Sequence, residues 1–292
     1  MPLRADRERG SMDGAVTVTG AAESPVDPGA GFLRSFGRQV KLLREAAGLT
    51  QAELGTSVGY GEAHIASVEQ GRRIPKPEMV DAMDRAVGGR GVLVAMKGEV
   101  ERARYPSFFR QYVRLEAEAA QLHAYDSHVV KGLLQTEEYA RAVFEMWRPL
   151  LDADTVEQRV AARMERQRLF TRRPAPLLSF VIEETVLRRP LGGRTVLRAQ
   201  LEQLLLHGHE RNIEIQVMPT EREEHAGLAG AFTLLHIGDR RRMAYMEVQN
   251  ESALHSDPKK VGAFESTYGV LRAQALTPRE SLTFIKKLLG EQ

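Results

Sequence analysis

Hydrophobic residues recur every three or four positions in the N-terminal third of the chain, which is the spacing of one helix face. Four residues with this spacing predict a first amphipathic helix: Phe32, Phe36, Val40 and Leu43. Three further helices are predicted behind it, over residues 50–58, 61–70 and 78–87. The pattern therefore predicts a small all-α domain over residues 32–88.

Start and stop signals delimit the second and third of these helices. Thr50 is expected at an N-cap, and Glu53 three residues later completes a capping box in which each side chain binds the other's backbone N–H. Gly59 and Gly71 are expected to end the two helices. Two short helices joined by such a turn have the spacing of a helix-turn-helix.

The hydrophobic period changes to two in the second half of the chain. This period predicts four strands, over residues 177–182, 213–218, 231–237 and 243–248. Helices are predicted around them, over residues 109–122, 136–147, 154–170, 195–207, 259–275 and 278–289. Asp154 is expected to cap the third of these helices. The fold class expected for the chain is mainly α with α+β, in which a mixed α+β domain over residues 109–290 follows the helical domain.

Two segments are expected to lie outside these domains. Residues 1–31 are rich in Gly, Ala, Ser, Pro and charge, which is typical of a disordered lead-in. Residues 89–108 are basic and contain Pro106, so we expect a linker there.

Composition excludes several function classes. The 292 residues contain no cysteine, which excludes disulfides, thiolate zinc sites, iron–sulfur clusters and cysteine nucleophiles. No apolar run approaches the roughly 20 residues of a membrane span, and no secretory signal follows the basic start, so we expect a cytoplasmic protein. The chain has 41 Lys and Arg against 39 Asp and Glu, and the net charge of +2 does not by itself indicate a nucleic-acid-binding protein. Such a function must come from a motif.

No catalytic signature is present in the sequence. Neither a Gly-Xaa-Ser-Xaa-Gly nor a His-Glu-Xaa-Xaa-His motif occurs, and Gly192-Gly193 precedes a helix without the lysine of a P-loop. The adjacent pair Glu183-Glu184 is expected to be a solvated strand end, since neighbours on a strand point to opposite faces. We therefore expect no enzymatic activity, no metal and no cofactor.

The residues around the predicted turn resemble the XRE/Cro-type helix-turn-helix regulators, whose DNA-binding domain has the lambda-repressor-like fold. The resemblance rests on residues 50–54 (Thr-Gln-Ala-Glu-Leu), on Gly59 and on residues 65–75, and it covers about 57 residues. It implies a DNA-binding function. From Phe32 to Arg110 there are 13 Lys and Arg against 9 Asp and Glu, a net charge of +4.

A recognition helix presents its N-terminal residues to base edges in the major groove. Four residues take that position here, with Ser67 one turn further: Gly61, Glu62, Ala63 and His64. The resemblance implies that Gln51 and Arg72 bind phosphates, which position the protein without specifying sequence. The full set of predicted DNA-binding residues is Thr50, Gln51, Gly61, Glu62, Ala63, His64, Ser67, Arg72 and Arg73.

Several of these residues have a second interpretation. The negative charge of Glu62 disfavours a phosphate contact; the residue either accepts a hydrogen bond from cytosine N4 or only favours the positive end of the helix dipole. His64 is either a DNA contact or a partly exposed surface residue. Arg72 and Arg73 either bind phosphates or belong to a solvated loop.

The second domain resembles the C-terminal domain of a large actinobacterial group of XRE regulators, the WhiJ-like or AbaA-like group, which is described as antitoxin-like. The resemblance covers about residues 105–288 and rests on residues 132–141, 159–167, 187–193 and 227–235. Lys131 departs from it, because the family usually has proline there. Members are often encoded beside a small partner protein.

Together the two resemblances imply a sequence-specific transcriptional regulator that binds double-stranded operator DNA as a homodimer on an inverted repeat. The C-terminal domain would supply dimerisation, a small-molecule effector site or a partner dock. The alternative is an antitoxin-like interaction module that binds a small partner protein encoded nearby and uses DNA binding for autoregulation.

Six arginines form the most basic stretch of the chain: Arg159, Arg163, Arg166, Arg168, Arg172 and Arg173. Three interpretations stay open for it: a solvated helix face, a second contact to the DNA backbone, or a dock for an acidic partner.

Overall fold

The computed structural model describes residues 28–291 apart from 104, 106, 149, 239, 240 and 250. Most of the predicted lead-in over residues 1–31 lies outside the described residues. Its last four residues correct that prediction, because the first helix begins at Pro28. Proline suits the first turn of a helix, where its missing N–H has no partner to lose.

Six helices form the N-terminal domain: α1 Pro28–Ala46, α2 Gln51–Val58, α3 Glu62–Glu69, α4 Pro77–Ala86, α5 Val92–Ala95 and α6 Lys97–Arg102. Their inward side chains build one core that includes Phe36, Leu54, Ile65 and Met83. The structure thus contains each of the four helices that the hydrophobic spacing predicts, with ends shifted by a few residues.

A close approach between α1 and α3 closes this core. A Cβ atom at Gly37 would overlap the backbone carbonyl oxygens of Val68 and Glu69. Only glycine therefore fits at this crossing, and the α1–α3 contact sets the position of α3.

The segment predicted as a linker, 89–108, departs from that prediction. Residues within it form α5 and α6, and Leu93 and Val100 are buried in the core of the N-terminal domain. The carboxylate of Asp84 accepts hydrogen bonds from the backbone N–H groups of Gly91 and Leu93, each at 2.8 Å. Buried apolar side chains and this cap outweigh the basic composition on which the linker prediction rested.

The C-terminal domain is a six-stranded mixed sheet between helices. Its strands are β1 Gln121–Asp126, β2 Leu177–Glu183, β3 Ile213–Met218, β4 Phe232–Ile237, β5 Arg241–Val248 and β6 Glu251–His255. The order is β3-β2-β1-β4-β5-β6, in which β1, β2 and β3 are parallel and the other pairs are antiparallel. Its helices are α7 Ser107–Glu118, α8 Glu137–Glu145, α9 Ala153–Arg166, α10 Glu184–Arg188, α11 Arg194–His207, α12 Pro258–Gln274 and α13 Pro278–Gly290.

Helices cover both faces of the sheet. One face, with Phe180 and Ile215, packs against α7, α8, α11 and α13, whereas the other, with Val181 and Leu234, packs against α12. The architecture confirms the predicted fold class of a helical domain followed by a mixed α+β domain.

Two local predictions in this domain are wrong, and one strand was not predicted. The helix predicted over residues 109–122 ends at Glu118, and its last residues begin β1, a central strand. The edge strand β6 was not predicted either. The N-cap of α9 is Asp152, whose carboxylate accepts from the Thr155 N–H, in place of the predicted Asp154.

Candidate nucleic-acid interface

The predicted helix-turn-helix is formed by α2 and α3. Leu54 of α2 and Ile65 of α3 are fully buried between them. The turn passes through Gly59, whose φ of 78° lies in the left-handed region that favours glycine. The Tyr60 N–H then donates to the Gly55 carbonyl at 2.8 Å, which closes the turn.

Thr50 forms the predicted capping box with Glu53. The Thr50 N–H donates to Glu53 Oε2 at 2.8 Å, and the Glu53 N–H donates to Thr50 Oγ1 at 3.2 Å. The hydrogen bonds that the Thr50 backbone N–H and the Thr50 hydroxyl donate to the Glu53 carboxylate lower the pKa of Glu53. The prediction of the capping box is confirmed, and the box fixes the start of α2.

Gln51 takes part in a buried network at the base of the two helices. Arg44 on α1 binds Glu69 on α3 through two hydrogen bonds, Nε to Oε1 at 2.5 Å and Nη2 to Oε2 at 3.0 Å. The Gln51 carboxamide donates to Glu69 Oε2 at 2.7 Å. The network ties α1, α2 and α3 together, and a phosphate contact from Gln51 would use its second N–H.

The start of α3 is open to solvent. Gly61, Glu62 and Ala63 are exposed, whereas His64 is half-buried with its ring 4.5 Å from that of Tyr60. Burial lowers the pKa of His64, and the positive charges of Arg73 and Lys76 lower it further against the opposing effect of Asp154. The exposed first turn of α3 has the accessibility that reading base edges requires.

Ser67 and the two predicted phosphate-binding arginines meet at the end of α3. The Ser67 carbonyl accepts from the backbone N–H groups of Arg72 and Arg73, at 2.9 and 3.2 Å. Arg72 is exposed. Arg73 is partly covered, because its Nη1 lies 3.7 Å from Oδ1 of Asp154 on α9.

The basic arginine stretch is not one solvated face. Arg166 is buried and forms two hydrogen bonds with the carboxylate of Glu116, at 2.7 and 2.9 Å. Arg163 donates to Gln135 Oε1 at 2.7 Å, with its guanidinium 4.1 Å from the centroid of the Phe144 ring. These two arginines hold the second domain together, so neither contributes to a solvated helix face or a DNA contact.

Glu183 also departs from its prediction as a solvated strand end. Its side chain is 12% exposed, and its Oε1 accepts from the Tyr125 hydroxyl at 2.9 Å and lies 2.7 Å from His225 Nε2. The Gly227 N–H donates to His225 Nδ1, which leaves Nε2 as the donor to Glu183 in the neutral ring. This cluster closes the carboxyl ends of β1 and β2.

The described part of the chain contains neither a metal-binding cluster nor a membrane-spanning helix. Among those residues, no group of three or more His, Asp or Glu side chains is arranged to hold a metal ion. No helix among them has the length and hydrophobicity needed to cross a membrane.

The sequence missed two features of this region. The Arg44–Glu69 pair is carried by residues 25 positions apart on separate helices, and no local period marks it. The contact between Asp154 of α9 and Arg73 joins the two domains. The sequence indicated a cap at the start of α9, but it gave no signal that this helix end lies beside the helix-turn-helix.

Comparison with known families covers both domains. Residues 35–95 match a family described as a helix-turn-helix domain. Residues 109–287, more than half of the chain, match a family described as a domain of unknown function, DUF5753. No curated protein and no solved structure matches the chain. The chain therefore belongs to the DUF5753 family and carries a helix-turn-helix domain ahead of the domain that defines it.

Proposed function

We propose that the chain is a sequence-specific DNA-binding transcriptional regulator. The observation that carries the proposal is the exposed first turn of α3, which the α2–α3 turn holds in place. Arg72 and Arg73 lie just after the other end of the same helix. A helix of this kind fits the major groove, and arginines beside it reach the flanking phosphates.

The predicted residues divide into two roles. Gly61, Glu62, Ala63 and His64 face the bases, and Glu62 accepts a hydrogen bond from cytosine N4. Thr50, Gln51, Ser67, Arg72 and Arg73 position the backbone of the duplex. The charge of the N-terminal domain is modest, so affinity rests on the placement of these contacts and on their doubling in a dimer.

The assembly we propose is a homodimer on an inverted repeat, with half-sites about 10 bp apart. The second domain supplies dimerisation, an effector site or a partner dock in a cytoplasmic protein without catalytic activity. We assign the helix-turn-helix to the XRE/Cro type and the second domain to the WhiJ-like or AbaA-like group, on the motif residues described above.

A titration of the chain's own upstream DNA at two salt concentrations tests the proposal. Arg72→Ala removes a phosphate contact, so it should weaken binding to all sequences and reduce the slope of log K against log salt by about 1. Arg211→Ala, an exposed arginine of the second domain, is the matched control and should change neither. An Arg72→Ala variant that keeps the wild-type slope contradicts the assignment.

The second proposed function is an antitoxin-like role, in which the chain binds a small partner protein encoded nearby and uses DNA binding for autoregulation. This role is favoured by the size of the second domain. Residues 109–287, more than half of the whole chain, lie outside the helix-turn-helix and are available for a function other than DNA binding. Co-expression with the neighbouring small open reading frame should yield a complex that survives modest salt. Separate elution of the two proteins counts against this role.

A further inference from the structure

A cleft of about 1070 Å³ lies between the helix-turn-helix and α9 of the second domain. From the first domain it is lined by Tyr60, His64, Arg73 and Lys76. From the second domain it is lined by residues of α9, among them Gln158, and by Arg168 just after the end of that helix. The predicted DNA-binding surface therefore has a neighbour in the same chain.

The start of α9 brings two carboxylates to this surface. Asp154 Oδ1 lies 3.7 Å from Arg73 Nη1, with the two side chains 45% and 35% exposed. Burial raises the pKa of Asp152, the N-cap of α9, but hydrogen bonds from Thr155 and, more weakly, the positive charge of Arg72 lower it, and the lowering prevails. Arg73 is thus paired with an acidic side chain of α9, and Arg72 lies within the electrostatic range of a second one at the N-cap.

A third contact holds α9 in place. The Tyr105 hydroxyl, which follows α6, donates to the Ala162 carbonyl at 3.0 Å. The connection between the domains therefore packs along α9 and keeps its acidic end beside Arg72 and Arg73.

A carboxylate and a phosphate compete for the same guanidinium. An Arg–phosphate hydrogen bond brings nitrogen and oxygen to about 2.7–2.9 Å, and the phosphate arrives with the bulk of the duplex behind it. Asp154 on α9 already lies 3.7 Å from Arg73 Nη1. A phosphate that binds Arg73 therefore has to displace Asp154.

We propose that α9 is an autoinhibitory element whose Asp154, supported by the negative charge of Asp152, takes the place of a DNA phosphate at Arg73, so that operator DNA binds after the α9 contact opens. The inference rests on the proposed DNA-binding function. It gives the second domain a specific role, because any ligand or partner that draws α9 away from the helix-turn-helix raises DNA affinity by the coupling free energy of the two events.

The first experiment removes the two charges in the full chain. Asp152→Asn with Asp154→Asn keeps the helix cap, since asparagine caps as well as aspartate does. One surface ion pair, Arg73–Asp154, and the weaker attraction of Asp152 for Arg72 predict that operator affinity rises about two- to fivefold. Glu223→Gln, an exposed carboxylate of the same domain, measures the general effect of reducing negative charge.

The second experiment locks the closed arrangement. Because the chain has no cysteine, Glu101→Cys with Arg168→Cys places its only two thiols on opposite sides of the cleft without changing the net charge. A thiol-cleavable bifunctional maleimide should join them, abolish operator binding, and restore it on cleavage. Each single-cysteine variant treated with the same reagent is the control.

The outcomes separate the two proposals. Tighter binding by the double asparagine variant, with loss on locking, supports the inference. If the wild type binds its operator and both the asparagine and the locked variants behave like their controls, the inference is overturned and the proposed function stands. If neither the wild type nor the asparagine variant binds the upstream DNA, the proposed function fails, and the inference fails with it.

Discussion

The Arg44–Glu69 pair offers the sharpest test of how the helix-turn-helix is held. Arg44 is 7% exposed and Glu69 is 6% exposed, and they join α1 to the end of α3 through two hydrogen bonds. Glu69→Leu leaves the buried guanidinium with only the half-exposed carboxylate of Glu45, whose Oε1 lies 3.6 Å from Arg44 Nη2, as a counter-charge. Breaking a buried pair in this way costs about 3–5 kcal/mol of unfolding free energy.

Replacing both partners should cost much less. In Arg44→Met with Glu69→Leu no buried charge remains, and apolar replacements of buried pairs are often close to neutral. The double variant still loses the hydrogen bonds from Arg44 to the Leu49 carbonyl and from Gln51 to Glu69. At about 1 kcal/mol for each, we expect a net loss of about 1–2 kcal/mol.

Urea unfolding of the full chain measures these differences. The chain has two domains, so two probes are needed. The single Trp147 reports on the second domain by fluorescence, whereas far-UV circular dichroism also follows the helices of the first domain. The unfolding free energy of a small domain decreases by about 1–3 kcal/mol per molar urea. Glu69→Leu should therefore lower the urea midpoint of the circular dichroism transition by about 2 M and leave the midpoint of the Trp147 fluorescence transition unchanged.

The reasoning fails if Glu69→Leu costs less than about 1 kcal/mol. It also fails if the double variant loses as much as the two single variants summed, because a coupled pair must be non-additive.

Three further predictions concern single residues. Gly37→Ala should lower the melting temperature and weaken DNA binding, because its Cβ overlaps the α3 backbone, whereas Gln39→Ala on the exposed face of the same helix should change neither. Thr50→Ala should cost about 1 kcal/mol by losing the α2 cap, and Thr50→Ser should restore it; equal stability of the two variants would contradict the capping role. Burial lowers the pKa of His123 from 6.5 to about 4, so the unfolded chain binds a proton between these values that the folded chain does not. The unfolding free energy is therefore highest above pH 6.5 and decreases as the pH is lowered, by about 1–2 kcal/mol from pH 7 to pH 5. Urea unfolding should show a smaller decrease for His123→Gln.

Most of the first domain could be predicted because its signals are local in the sequence. The capping box at Thr50, the glycine turn at Gly59 and the helical spacing of Ile65 and Val68 each involve residues close together in the chain. Such signals act over one or two helical turns, so the sequence alone specifies α2, the turn and α3. The family match to a helix-turn-helix over residues 35–95 agrees with them.

The second domain was predicted in class but not in its central strand. In β1, polar residues such as His123 alternate with apolar ones, and the strand begins three residues after the amphipathic helix α7 ends. The helical spacing of α7 was therefore extended into the strand. Its strand character comes from pairing with β2 and β4, at partners more than 50 residues away. A local period cannot report such pairing.

The sequence by itself determined the helix-turn-helix motif, the capping box at its start and the glycine turn within it. Only the tertiary structure decided which charges are free to act. Arg163 and Arg166 look like surface cations in the sequence and are buried by the folding of the second domain, whereas Arg73 meets Asp154 across the domain boundary. The physical reason is that a charge acts through its neighbours in space, and here those neighbours come from distant parts of the chain.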